Sequence, residues 1–159
     1  EFEYLCKKGL LDIDETSFNR LHQVLLEDVY AQVVKTTAHS RDVLERLHER
    51  YPMVLVSNFY GNVGVVLKEF GLDYLFSDII ESAAVGIRKP DPRIYKLGVE
   101  RLNLRAEEVA VVGDSFYKDI EPAHKIGCHT IWFKGEGWTN QQYDETLPNQ
   151  IITDIAQLL

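Results

Sequence analysis

Apolar residues recur at helical spacing in the first third of the chain and gather into short continuous runs in the rest. Phe18, Leu21, Leu25 and Val29 fall on one helical face, as do Val43, Leu44 and Leu47; this spacing predicts helices over 12–35 and 40–50. Asp12, with Glu15 three positions on, has the form of a capping box with Asp12 as N-cap. From Pro52 the pattern changes. Runs at 53–56, 78–81, 109–112 and 130–133 read as strands, and 61–70, 91–101, 116–126 and a short 153–159 read as helices. Strands apolar throughout are buried on both faces, so the expected fold class is α/β: a Rossmann-like, doubly wound parallel sheet flanked by helices.

In such sheets ligands bind beyond the carboxyl ends of the strands. The polar residues there are Ser57 and Asn58, then Asp114, Ser115 and Asp119, with Lys89 on an intervening loop. Asp114 ends the most apolar strand and Asp119 enters the following helix, so their carboxylates can converge on one hard cation. Magnesium uses one or two carboxylates together with phosphate oxygens and water. An Asp or Ser in this place also caps a helix, and Ser-Asn after a strand is also a turn signal. Lys89 precedes Pro90-Asp91-Pro92; two prolines stiffen the backbone and aim one ammonium.

The chain has 159 residues, 45% hydrophobic and 26% charged, which allows one core domain plus a small appendage. The net charge is −8 with no basic cluster, so a nucleic-acid partner is not expected. No apolar run reaches membrane-spanning length. Cys6 and Cys128 match no metal spacing, and reduced thiols in a cytoplasm are the expectation. The five histidines likewise form no metal spacing. Trp132 and Trp138 are expected as packing or loop anchors, while Phe59, Tyr60 and Tyr117 stand near the proposed site in sequence.

The order Ser57, Lys89-Pro90-Asp91-Pro92-Arg93-Ile94-Tyr95, Gly113-Asp114-Ser115 with Asp119, and Ala123 to Gly127 resembles the haloacid dehalogenase-like hydrolase superfamily over about residues 40–135. The resemblance implies a magnesium-dependent phosphatase acting on a small phosphorylated metabolite through an aspartyl-phosphate. By position, Ser57 and the Asn58 amide would bind phosphate, and Lys89 would neutralise the nucleophile and the phosphoryl group. Asp114 would ligate Mg2+, with Asp119 supporting or sharing that role.

The family's first motif is a buried strand followed by Asp-x-Asp-x-Thr. The literal match is Asp12-Ile13-Asp14-Glu15-Thr16. Two lysines and a glycine (Lys7, Lys8, Gly9) interrupt any strand before it, and the capping box accounts for the same residues. The expectation is therefore that 1–40 is a partial helical cap, that 41–159 is the core, and that the nucleophile strand precedes Glu1, leaving this chain inactive. The central slot would then be filled by a retained peptide, by Phe2–Cys6, or by strand exchange in a homodimer. The alternatives are an active enzyme with Asp12 as nucleophile and Asp14 as acid/base, or a relative that binds phosphate or a partner without turnover. A plain nucleotide binder lacks its glycine fingerprint.

Overall fold

The computed structural model describes residues 2–10, 12–135 and 142–159; Trp138 lies outside them. The chain divides into two compact units, Glu1–His39 and Ser40–Leu159.

In the first unit, helix α1 (Phe2–Lys7) is followed by α2 (Glu15–His48), which continues into the second. The expectation that Phe2–Cys6 forms a strand is corrected. These residues are helical, and the helix closes at Gly9, where φ of +65° lets Leu10 N–H reach the Leu5 carbonyl. The N-cap of α2 is Asp14, not Asp12. Its carboxylate accepts from Ser17 N (2.8 Å) and Ser17 Oγ (2.9 Å), so the helix begins two residues later than the spacing of Asp12 and Glu15 suggested. The two helices expected over 12–35 and 40–50 are one. No Gly or Pro interrupts 36–40, and the Thr37 hydroxyl donates to the Val33 carbonyl within the helix (2.8 Å).

Among the described residues the second unit carries five strands: β1 (Val54–Ser57), β2 (Asp78–Glu81), β3 (Ala110–Gly113), β4 (His129–Phe133) and β5 (Gln150–Ile152). All the pairings are parallel, but they form two separate sheets, β1-β2 and β3-β4-β5. Helices α3 (Val63–Glu69), α4 (Ser82–Val85), α5 (Arg93–Leu102) and α6 (Glu121–Lys125) connect them.

One core serves both sheets. Ile80 from β2, Ile94 and Tyr95 from α5, and Val109, Ala123 and Cys128 around β3 and β4 form a buried cluster, with Val54, Val56 and Val111 packed against it. Burial raises the Cys128 thiol pKa. Helix α5 lies close on β1: a Cβ on Gly98 would stand 3.1 Å from Val56 Cγ2. Strands β1 and β3 thus share a core while each leaves one ladder edge unpaired among the described strands. Val112 in β3 is 44% exposed, unusual for an apolar residue in a parallel strand. No helix among the described residues is long and apolar enough to cross a membrane.

Candidate active site

Ser57 is the last residue of β1, opposite Glu81 of β2. The loop that follows is pinned at two points: Gly61 N–H donates to the Glu81 carboxylate (2.5 Å), and Ser82 Oγ donates to the Phe59 carbonyl (3.3 Å). Glu81 and Ser82 are both buried, so these bonds are partly shielded from water. Among the described residues the Ser57 hydroxyl has no hydrogen-bond partner of its own, whereas Asn58 is committed. Its Nδ2 donates to the Lys89 carbonyl (3.1 Å) and its Oδ1 accepts from Lys89 N (2.9 Å). A carboxamide paired with both the N–H and the carbonyl of one residue fixes that residue's backbone, so Asn58 ties Lys89 to the end of β1.

From this anchored peptide the Lys89 side chain reaches Asp119, with Nζ 2.8 Å from Oδ1. Lys89 is followed by a cis peptide bond to Pro90. Asp91 then accepts from Arg93 N (2.9 Å) and grips its guanidinium, ordering the start of α5. Tyr95, on the first turn of that helix, points its hydroxyl at the same carboxylate and donates to Asp119 Oδ1 at 2.6 Å. Its ring lies beneath the ammonium, with Nζ 5.5 Å from the centroid.

Asp119 is 4% exposed and Tyr95 3%. Oδ2 of Asp119 accepts from Ser115 N (2.9 Å). The buried carboxylate therefore receives three donors, which offsets the cost of removing its charge from water. Burial first, then the Asp119 charge and hydrogen bond, push the Tyr95 phenol pKa far up, so it stays a protonated donor. The bond from Lys89 also joins the ends of β1 and β3 across the break between the sheets.

Residues 116–120, expected as ordinary helix, form a wider π-helical turn (Phe116–Ile120) before α6. Asp119 N and Ile120 N both donate to the Ser115 carbonyl, at 2.7 and 3.4 Å. The widened turn carries the Asp119 side chain under Gly113, and such turns are frequent at functional sites. Asp114 is different in kind. It is exposed, and among the described residues its carboxylate has no hydrogen bond or ion pair. Its own carbonyl accepts from Trp132 Nε1 (3.0 Å).

The described residues hold no cluster of three or more His, Cys, Asp and Glu side chains suited to a metal. The donor set nevertheless fits magnesium, which takes few protein carboxylates and leaves positions for water and phosphate oxygens: Asp114 is uncommitted, and Asp119 holds a lysine instead. The structure thus brings Asn58, Lys89 and Asp119 together and sets Asp114 and Ser57 at the adjoining strand ends. Tyr60, on the loop after β1, and Tyr117, on the π-helical turn, are both exposed. Sequence reasoning treated Tyr95 only as an aromatic after the proline pair; its position in the first turn of a helix packed on the sheet was the available signal. Glu81 was read only as part of a strand.

A family model for haloacid dehalogenase-like hydrolases matches residues 6–127. The chain is 35% identical over 129 residues to a phosphoglycolate phosphatase of Aliivibrio fischeri, covering 80% of this chain and 52% of that protein. It is 36% identical over 90 residues to a glyceraldehyde 3-phosphate phosphatase of Pyrococcus furiosus, covering 55% of this chain and 37% of that protein. The chain therefore spans about half or less of the length of these relatives. Among solved structures, an HAD phosphatase from Thermococcus onnurineus superposes with TM-score 0.65 at 26% identity, over 74% of this chain and 53% of that one. The putative HAD-hydrolase YfnB from Bacillus subtilis, in a magnesium-bound form, shares the fold at TM-score 0.68 and 22% identity, over 98% of this chain and 75% of that one.

Proposed function

Since the chain belongs to the haloacid dehalogenase-like hydrolase family, we propose that it carries the phosphate- and metal-binding part of a magnesium-dependent phosphatase for a small phosphorylated metabolite. The observation that carries this reading is the pairing of a buried, three-donor Asp119 holding Lys89 with an exposed, uncommitted Asp114 at the end of the same strand. A lysine clamped in this way presents a fixed positive charge.

In the proposed site, Ser57 Oγ and the backbone N–H of Asn58 hold phosphoryl oxygens. The Asn58 side chain, already spent on Lys89, acts through that lysine. Lys89 gives one N–H to Asp119 and keeps two for the phosphoryl group and the attacking carboxylate. Magnesium, when bound at Asp114, supplies charge neutralisation at the phosphoryl oxygens.

The carboxylate that attacks phosphorus is proposed to reside on a strand outside the five described, seated between β1 and β3. Support comes from the split sheet with its shared core and from Asp14, whose carboxylate is occupied in capping α2. A covalent mechanism stops without its nucleophile, so this chain alone is expected to bind phosphate without turning it over. A second copy could fill the same slot with one of its own segments without supplying the nucleophile, and sedimentation would report that as a dimer.

The test is magnesium-dependent hydrolysis of an aryl phosphate, beside calorimetric binding of inorganic phosphate, for the chain and for Asp12→Asn. Phosphate binding without hydrolysis supports the reading. Hydrolysis lost in Asp12→Asn would instead make Asp12 the nucleophile. Absence of phosphate binding with magnesium present would overturn the assignment of the site.

A further inference from the structure

The Asp114 carboxylate has no bond among the described residues, so its direction is set by its backbone. The peptide that joins Asp114 to Ser115 is held by two side chains, Asp119 at its N–H (2.9 Å) and Trp132 at its carbonyl. β3 and β4 pair in register up to Gly113 opposite Trp132, which leaves the Asp114 carbonyl one residue beyond the paired stretch. The Trp132 indole N–H donates to it at 3.0 Å. The same indole meets Phe116, two residues further on, edge to face with centroids 5.2 Å apart. Tyr143 closes the third side, stacked on Phe116 at 4.7 Å and edge-on to Trp132 at 5.8 Å. Trp132 is 6% exposed and Phe116 4%. Lys134 Nζ lies 5.3 Å from the Trp132 ring and is tied to Glu145 (2.5 Å). The turn Asp114-Ser115-Phe116 is therefore gripped at both ends by one aromatic side chain that has little freedom of its own.

We infer that Trp132 is a positioning residue for the metal-binding turn: its N–H fixes the Asp114 peptide and so aims the Asp114 carboxylate, preorganising it for the cation. The inference rests on the proposed role of Asp114 as magnesium ligand. Groups that orient a ligand without touching the metal act on affinity, because an unanchored ligand must be ordered when the ion arrives. An indole that only filled space would act on stability and leave affinity alone. The N–H is the part that separates the two roles, since Phe116 and Tyr143 pack on the ring whether or not it carries a donor.

The experiment replaces Trp132 site-specifically with β-(3-benzothienyl)alanine, which keeps the bicyclic shape and puts sulfur in place of N–H, and with 5-fluorotryptophan, which keeps the donor. Magnesium is titrated calorimetrically into each full chain, with inorganic phosphate present, beside Asp114→Asn; thermal midpoints are recorded in chelator. The expected result is loss of binding in Asp114→Asn and affinity about 10- to 100-fold weaker in the benzothienyl chain. Wild-type affinity in the fluorotryptophan chain and closely similar midpoints for the two analogues complete the pattern. Unchanged affinity in the benzothienyl chain, with Asp114→Asn still unable to bind, overturns the role of Trp132 alone. Wild-type binding by Asp114→Asn overturns the reading of the site and this inference with it.

Discussion

Asp119 occupies the space into which any side chain on Gly113 would project: a Cβ built there would lie 2.3 Å from the Asp119 Cβ and 2.8 Å from its Oδ2. The glycine at the end of β3 is thus required by the carboxylate beneath it. That carboxylate is fixed in turn by Lys89, Tyr95 and the Ser115 amide.

Gly113→Ala should displace Asp119 and with it the Lys89 ammonium. Overpacking of this kind costs about 1–3 kcal/mol, and the disturbed partners are charged. Urea unfolding should give a lower midpoint, and phosphate binding should weaken in parallel. A variant that is both as stable and as tight as wild type would contradict the packing described.

Tyr95→Phe removes one of three donors to a buried carboxylate and should cost roughly 1.5–3 kcal/mol, the range for hydrogen bonds to charged groups. It also has a pH signature. The phenol pKa is raised above its ordinary 10.0, chiefly by burial, so the folded protein holds that proton where the unfolded chain has released it. The associated stability is complete below pH 10.0 and declines as pH rises above it. Tyr95→Phe should show a shallower loss of stability in that alkaline window, measured by denaturant titration at several pH values.

Lys89→Ala leaves Asp119 with Tyr95 and the Ser115 amide, and leaves the site without its aimed cation. Affinity for inorganic phosphate should fall about tenfold or more, the equivalent of one charge-assisted hydrogen bond. Lys89→Arg should restore little of it, because a planar fork cannot share Asp119 and phosphate as a compact ammonium does. Calorimetry of the three chains decides this; equal affinity in Lys89→Ala would place the lysine outside the site.

At the other end of the chain, the two bonds from Ser17 hold the Asp14 carboxyl below its ordinary pKa of 3.8. A depressed carboxylate stabilises the helix above its unfolded value, and that contribution disappears as pH falls through the folded value. Asp14→Ala should therefore lower the helical signal of α2 at neutral pH and make little difference in strong acid, as followed by far-ultraviolet circular dichroism. Asp14→Asn should keep the cap and lose the pH dependence.

Much of the core was legible because each element carries its own periodicity. The runs at Val54–Ser57, Asp78–Glu81, Ala110–Gly113 and His129–Phe133 stand within a residue of their predicted places. β5 was missed because Gln150-Ile151-Ile152 is too short to show a pattern. It is a strand only through pairing with β4, helped by Asn149, whose side-chain oxygen accepts from Thr130 N. The cap of α2 was misplaced by two residues because Asp12 and Asp14 are both acceptable N-cap residues locally, and only the bonds formed to Ser17 tell them apart.

By itself, the sequence determined the parallel α/β class and the polar residues at the strand ends, because burial on both faces and the alternation of strand and helix are written in local order. It also carried the family, through the spacing of Ser57, Lys89, Asp114 and Asp119. Tertiary structure alone decided which of those residues meet. Asp119 binds Lys89, Tyr95 and Ser115 because a π-helical turn and the packing of α5 bring distant segments together, and Asp114 stands at the surface with its carboxylate unbonded among the described residues. An empty central slot was already expected from the missing first motif. That the described strands form two sheets, with an unpaired edge on β1 and on β3, was decided by the folded chain, because pairing depends on what stands between strands and no local pattern encodes it.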